Sequence, residues 1–148
     1  MNAVGAGLIS VLLALAALHL YWGLGGRWPG HDDASLVRIA SGAQGGRMYG
    51  FGPCAAVAFA LSSAAAVVYA RHSAVMAGPF AWVVIAGFIV LILVFGGRGL
   101  APYVSNVFDY ARGTPFFDLN RQIYAPLCLT IALGLVIDAP PFLRPLTE

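Results

Sequence analysis

Charged residues divide the chain into four long apolar stretches. Residues 1–26 contain no acidic or basic side chain except His19, and residues 48–70, 73–97 and 122–137 contain none. A bilayer core of about 30 Å is crossed by about 20 helical residues, and a helix satisfies its own backbone hydrogen bonds in lipid. The pattern therefore predicts an all-α fold, a four-helix transmembrane bundle. Its helices are expected near 3–25, 51–70, 75–97 and 122–139.

The fourth stretch is the shortest of the four. It reaches spanning length only by including Asp138 and Ala139, after which Pro140 ends the helix. Asp138 would then pair with Arg71 at the same end of the bundle or face solvent. The first stretch lacks the positively charged start of a signal peptide and continues past its Ala-Leu-Ala sequence, so we expect it to be retained. One domain over residues 1–148 follows, with both termini on the same side.

Composition excludes two broad classes of protein. The chain is 60% hydrophobic and 9% charged, with a mean hydropathy of +0.84. A soluble domain is about 45–50% apolar and about 25% charged, so neither a soluble globular fold nor a disordered chain fits this composition. The net charge of +2 is too small for a nucleic-acid-binding surface. The predicted environment is therefore the lipid bilayer.

The arginines predict the orientation of the bundle. Loop 1 (26–50) and loop 3 (98–121) hold six of them, whereas the opposite side has only Arg71 and Arg144. Basic residues in short loops favour the cytoplasm. Both termini are therefore predicted to lie outside. The six loop arginines are Arg27, Arg38, Arg47, Arg98, Arg112 and Arg121.

The two halves of the chain resemble each other. The first and third helices end in Gly-Gly-Arg, at Arg27 and Arg98, and Pro53 and Pro126 stand near the starts of the second and fourth helices. The pattern indicates a parallel repeat of two helical hairpins, 3–70 and 75–139. The alternative is that helix ends favour Gly and Pro in any case.

Small residues recur at every fourth position along the second helix. They permit close approach of helix backbones in lipid, so this stripe predicts either a buried face or a pairing face in a homo-oligomer. Its members are Cys54, Ala58, Ser62, Ala66 and Ala70. Cys54 and Cys128 hold matching positions in the two halves, and we expect them to be small packing residues rather than a disulfide.

Two groups of residues together resemble a known family. The first is the segment His19–Arg27, and the second consists of Pro102-Tyr103, Pro115-Phe116, Asp118–Arg121 and Tyr124–Cys128. Their order is similar to that of the bacterial membrane-protein family known as domain of unknown function 3995. The resemblance covers nearly the whole chain. It implies a small four-helix protein of the bacterial inner (plasma) membrane, and it implies no activity.

Several kinds of chemistry are excluded by missing residues. The chain has no Lys, so it has neither a Walker phosphate loop nor a Schiff-base lysine. It contains no His-Glu-x-x-His or Cys-x-x-Cys motif and a single glutamate, Glu148. We therefore expect no cofactor and no metal, and an enzyme is not the favoured class.

His19 is the one histidine expected within the membrane. It precedes Arg27 by eight residues, about 12 Å along a helix. Ionisable groups at such depth usually face the bundle interior and are candidates for function. We expect His19 to face a polar chamber walled by the second and fourth helices, lidded by loop 3 and close to Tyr124. In an intramembrane enzyme on a lipid-like substrate, His19 would be the acid or base and Asp118 would orient it.

Purely structural roles are the alternatives to these functional interpretations. His19 could be a neutral hydrogen-bonding residue between helices, and Asp118 could pair with Arg121 on one helical face. The favoured function is binding of an anionic amphiphile or lipid beneath loops 1 and 3. Its headgroup would be held by arginines, because guanidinium matches phosphate oxygens in pairs. An accessory subunit or small oligomeric transporter is a third possibility. The candidate ligand-binding residues are Arg27, Arg98, Arg121, Tyr124 and Trp22, the last alternatively a membrane-interface anchor.

Overall fold

The computed structural model describes residues 1–44 and 46–140, so Arg144 lies outside the described residues. All four predicted spans are confirmed as helices long and apolar enough to cross a membrane. The described ranges contain no β-strand, in agreement with the all-α prediction. The helices are α1 (Ala3–Gly23), α2 (Asp33–Ala40), α3 (Phe51–Arg71), α4 (Ala81–Val104), α5 (Pro115–Leu119) and α6 (Ala125–Asp138). A π-helical turn (Asn120–Tyr124) joins α5 to α6 into one segment, Pro115–Asp138.

The third span differs from its predicted bounds of 75–97 at both ends. Ala74–Ala77 forms a 3-10 turn, and Pro79 follows before α4 begins. At its other end α4 continues through Arg98 and Pro102 to Val104. A charged residue can lie within a helix at the membrane boundary when its side chain has partners. Arg98 has two, Asn120 and Phe108.

The fourth span also begins earlier than predicted. Pro115 opens α5 at a first helical position, where a missing N–H costs nothing. The expected start at residue 122 is wrong because the charged side chains of Asp118 and Arg121 are exposed and do not interrupt the helix. Both residues lie within the helical segment Pro115–Asp138.

Loop 1 contains a helix that the hydrophobic pattern did not predict. Asp32 caps α2 by accepting a hydrogen bond from the backbone N–H of Ser35 at 2.8 Å, and the Ser35 hydroxyl accepts from the Asp32 N–H. Such a capping box satisfies backbone donors that the first turn leaves free. Leu36 and Val37 on α2 are buried, and α2 packs against α5.

The membrane-spanning helices pack as two hairpins. The most extensive contacts are between α1 and α3 and between α4 and α6, while smaller contacts of α1 with α6 and of α3 with α4 join the pairs. The core holds one fully buried side chain from each helix: Leu12, Val68, Phe88 and Leu135. A repeat of two helical hairpins would give this pairing of α1 with α3 and of α4 with α6. The duplication and the single domain over residues 1–148 stay predictions.

The small-residue stripe of α3 is only half buried. Cys54 and Ala58 are buried, but Ser62 and Ala66 are exposed. Farther along the helix the buried small residues are Ala64 and Ala65, together with Val68. The buried-face interpretation holds only for the first part of the stripe, because the contact line moves to a neighbouring face of α3. The alternative of a pairing face in a homo-oligomer stays a prediction.

Candidate functional site

A cavity of about 220 Å³ opens between the end of α4, loop 3 and the start of the fourth span. We call it the loop 3 cavity. Polar and aromatic side chains dominate its walls. They belong to Pro102, Tyr103, Val104, Ser105, Asn106, Phe108, Asp109, Arg112, Phe117, Asn120 and Arg121.

Half-buried Arg98 and buried Asn120 form a polar pair beside this cavity. The Nη2 of Arg98 donates to the Oδ1 of Asn120 at 2.8 Å, and its guanidinium lies 4.7 Å from the centre of the Phe108 ring. Asn120 is only 1% exposed. Because arginine can only donate, the pair fixes the orientation of the amide and leaves its Nδ2 as a donor.

Two donors of this pair are unsatisfied. Neither the Arg98 Nη1 nor the Asn120 Nδ2 has a hydrogen-bond partner within the described residues, although both atoms are buried. A buried donor without a partner costs about 1–3 kcal/mol. Both N–H groups, one of them cationic, suit an oxygen-bearing anion, although neither atom is exposed at the cavity surface.

Asn120 owes its position to the π-helical turn. The turn begins at Asn120, and its wider ring runs from the Ala125 N–H to the Asn120 carbonyl. The Arg121 carbonyl accepts a hydrogen bond from the Tyr103 hydroxyl, which ties the end of α4 to the turn. Single π turns inside helices occur frequently at functional sites.

Two exposed arginines complete the cavity. The guanidinium groups of Arg112 and Arg121 each lie 5.6 Å from the centre of the Phe117 ring, and Arg112 also bonds Asp109 at 2.9 Å. Arg98 lies behind them against the lining residues Phe108 and Asn120, so three guanidinium groups are near the cavity, one of them paired with Asp109. The sequence did not single out Arg112. The sequence feature that could have indicated Arg112 is the alternation of aromatic and charged residues through loop 3.

A family model described as "Protein of unknown function (DUF3995)" matches residues 12–135. The chain belongs to this family. The match includes α2, α3, α4 and the complete loop 3 cavity. No curated protein and no solved structure matches the chain.

In this DUF3995 protein His19 lines a second cavity, of about 330 Å³, which we call the His19 cavity. Its walls come from α1, loop 1 and α3, and from no residue of α6 or loop 3 among those described. The expected wall from the fourth helix and lid from loop 3 are therefore wrong. The physical reason is that α1 packs mainly against α3. The lining residues are His19, Trp22, Ala40, Ser41, Met48, Tyr49, Pro53, Cys54 and Val57.

The remaining predicted ligand residues are separated. Arg27 is exposed and pairs with Asp33 at 2.7 Å, and Trp22 donates to the Trp28 carbonyl at 2.7 Å. The Tyr124 hydroxyl donates to the Ile39 carbonyl at 3.2 Å and so ties the fourth span to loop 1. Of the predicted ligand-binding set, only Arg121 lines the loop 3 cavity, and Arg98 contacts two of its lining residues, Asn120 and Phe108.

The predicted pairing of His19 with Asp118 finds no support in the geometry. Asp118 is exposed and lines neither of the two cavities. It forms no ion pair with Arg121 within the described part of the chain, and the Arg121 guanidinium instead faces Phe117.

Asp138 occupies a buried cluster at the opposite end of the bundle. It is 1% exposed, and its two oxygens accept from the Asn2 amide at 2.8 Å and contact the His72 Nε2 at 3.0 Å. Pairing with Arg71 and exposure to solvent are both wrong, because Asn2 and His72 surround the carboxylate. The sequence feature that indicates such a cluster is an acidic residue in the last turn of a helix, where the helix dipole disfavours a negative charge unless it has a partner.

Proposed function

We propose that this protein binds an anionic amphiphile, such as a lipid, with the headgroup in the loop 3 cavity. The observation that carries the proposal is the pair of buried, unpartnered donors on Arg98 and Asn120. Hydrogen bonds between guanidinium and phosphate or carboxylate are among the stronger ones in proteins. An oxyanion there would satisfy donors that the described residues leave free.

The depth of the site favours a lipid as the source of that anion. Arg98 stands 17 residues after Ala81, the first residue of α4, which is about 26 Å along the helix axis. A hydrocarbon core of about 30 Å would place Arg98 near its boundary, at the level of lipid headgroups. Arg112 and Arg121 would surround the headgroup from the water side.

The arginine distribution supports an orientation as well. We propose that loops 1 and 3 face the cytoplasm of a bacterial inner membrane, with the termini outside. Both loops lie at one end of the bundle, where the Tyr110 hydroxyl donates to the Ser41 carbonyl at 2.9 Å. Alkaline phosphatase fused after the last residue should be active, and activity of a reporter that works only in the cytoplasm would reverse the orientation.

The binding proposal is tested by native mass spectrometry of the full chain in a mild detergent. An equimolar mixture of phosphatidylglycerol and phosphatidylcholine should leave mainly phosphatidylglycerol on the protein. Asn120→Asp places a carboxylate on Arg98 without changing the size of the side chain. It should lower the preference about tenfold, the equivalent of about 1.5 kcal/mol for a hydrogen bond to a charged group.

Arg47→Gln is the matched control. It changes the net charge by the same amount in loop 1, where Arg47 is exposed and does not line the loop 3 cavity. An equal loss of preference in both variants would show general charge attraction and contradict the proposal. Displacement of the lipid by inorganic phosphate at equal concentration would instead identify a site for free oxyanions.

A further inference from the structure

The His19 cavity is chemically different from the loop 3 cavity. Its walls are mostly apolar and include Met48, Pro53 and Val57, and no arginine lines it among the described residues. Its volume of about 330 Å³ is that of a small-molecule site. An anion would find no compensating charge there.

The hydrogen bond made by His19 fixes the proton position on its ring. The Nδ1 of His19 lies 2.8 Å from the carbonyl oxygen of Leu15. A carbonyl can only accept, so Nδ1 carries the proton and donates. In the neutral imidazole, Nε2 is then a hydrogen-bond acceptor.

This acceptor is unused. The Nε2 of His19 makes no hydrogen bond within the described residues and is not among their buried atoms. Its neighbour Trp22 packs edge to face at 5.1 Å between ring centres, but the indole N–H of Trp22 is already bonded to the Trp28 carbonyl. The ring thus brings one free acceptor to an apolar cavity.

We infer that the His19 cavity binds a neutral apolar molecule that carries a hydroxyl group, with the hydroxyl donating to the Nε2 of His19. The apolar walls accept the hydrocarbon part, and the imidazole acceptor favours a hydroxyl over an ether or an anion. This inference does not rest on the proposed function, because the two cavities share no lining residue.

A matched pair of probes tests the inference without any mutation. 1-Naphthol has the hydroxyl, whereas 1-methoxynaphthalene has the same ring system and no donor. The full chain in detergent micelles, labelled with ¹⁵N-histidine, is titrated with each probe. 1-Naphthol should shift the Nε2 signal of His19 upfield and bind about two- to tenfold more tightly, the range expected for one neutral hydrogen bond.

The two cysteines report where the probe binds. Cys54 lines the His19 cavity, but Cys128 does not. 1-Naphthol should slow the reaction of Cys54 with methyl methanethiosulfonate and leave that of Cys128 unchanged, as measured by peptide mass spectrometry. Equal slowing at both thiols would show simple partition into the micelle and overturn the inference.

His19→Phe keeps a ring of similar shape and removes the acceptor. The advantage of 1-naphthol over its methyl ether should disappear in this variant. His19→Gln retains a side-chain carbonyl and should keep part of that advantage. Equal affinity of the two probes for the unmodified protein, or an advantage that persists in His19→Phe, would refute the inference.

Discussion

Replacing Asp138 with alanine is expected to destabilise the bundle more than any change at an exposed acid. The carboxylate joins three parts of the fold, because its partners are Asn2 before α1 and His72 after α3. Asp138→Ala leaves the Asn2 amide and the His72 ring without this acceptor. Asn2 also caps α1 by accepting from the Gly5 N–H at 2.7 Å, so loosening its side chain affects the helix start as well.

The magnitude follows from the number of hydrogen bonds. Interhelical hydrogen bonds in membrane proteins average about 0.6 kcal/mol, with a maximum near 1.7 kcal/mol. Two such bonds predict a loss of about 1–3 kcal/mol. Asp138→Asn keeps a carbonyl that can accept from Asn2, so its loss should be smaller.

The free energy of unfolding is measured by titrating sodium dodecyl sulfate into mixed micelles and following helix content by circular dichroism. Asp118→Ala is the control, since Asp118 is exposed and makes no hydrogen bond within the described residues. The order of stability should be unmodified protein and Asp118→Ala, then Asp138→Asn, then Asp138→Ala. Equal stability of the two alanine variants would refute the role assigned to the cluster.

Two further predictions concern α4 and α2. A Cβ on Gly99 would lie 2.7 Å from the Leu129 side chain, so Gly99→Ala should cost about 1–3 kcal/mol in the same unfolding assay. The control is Gly97→Ala, where a Cβ meets nothing within 4 Å; it should be neutral or stabilising by about 0.5–1 kcal/mol. Equal effects of the two substitutions would contradict the close packing at Gly99. The hydrogen bonds from the Ser35 backbone and side chain lower the pKa of Asp32, so their contribution to stability is fully present above the unfolded-state pKa and lost as pH falls through the lower folded value. Ser35→Ala removes the side-chain contribution and keeps the backbone one. In a carboxyl ¹³C titration the pKa of Asp32 should therefore rise only in part, and an unchanged midpoint would be contrary to the side-chain contribution.

The membrane spans could be predicted because the absence of charge is a property of each segment by itself. The helix ends could not, because they depend on partners distant in the chain. Arg98 marks the end of a span by composition, yet it lies inside α4 because Phe108 and Asn120 engage its guanidinium. The same limit applies to Asp138, whose partner Asn2 lies at the opposite end of the sequence.

The candidate site was predicted only in part, for a related reason. Arg27 and Arg98 follow the same Gly-Gly motif, so sequence reasoning gave them the same role. In the structure Arg27 is exposed and neutralised by Asp33, whereas Arg98 is half-buried beside Asn120. A motif at a helix end determines where an arginine enters a loop, but its role depends on which residues the rest of the fold brings to it.

Asp138 and the Arg98–Asn120 pair, at opposite ends of the bundle, differ in how far their hydrogen bonds are satisfied. At one end both oxygens of Asp138 are occupied by Asn2 and His72, so this group contributes to stability and has little capacity left for a ligand. At the other end Arg98 and Asn120 satisfy one another only once and retain two buried donors beside a cavity. An unpartnered buried donor has a cost that a ligand can remove. The Arg71 Nε at the Asp138 end is also such a donor, but Arg71 lines neither of the two cavities, whereas Asn120 lines the loop 3 cavity, so binding is expected there. A trade-off between ligand binding and stability is therefore predicted there. A variant that satisfies the donors internally, such as Asn120→Asp, should bind less anionic lipid and be at least as stable as the unmodified protein.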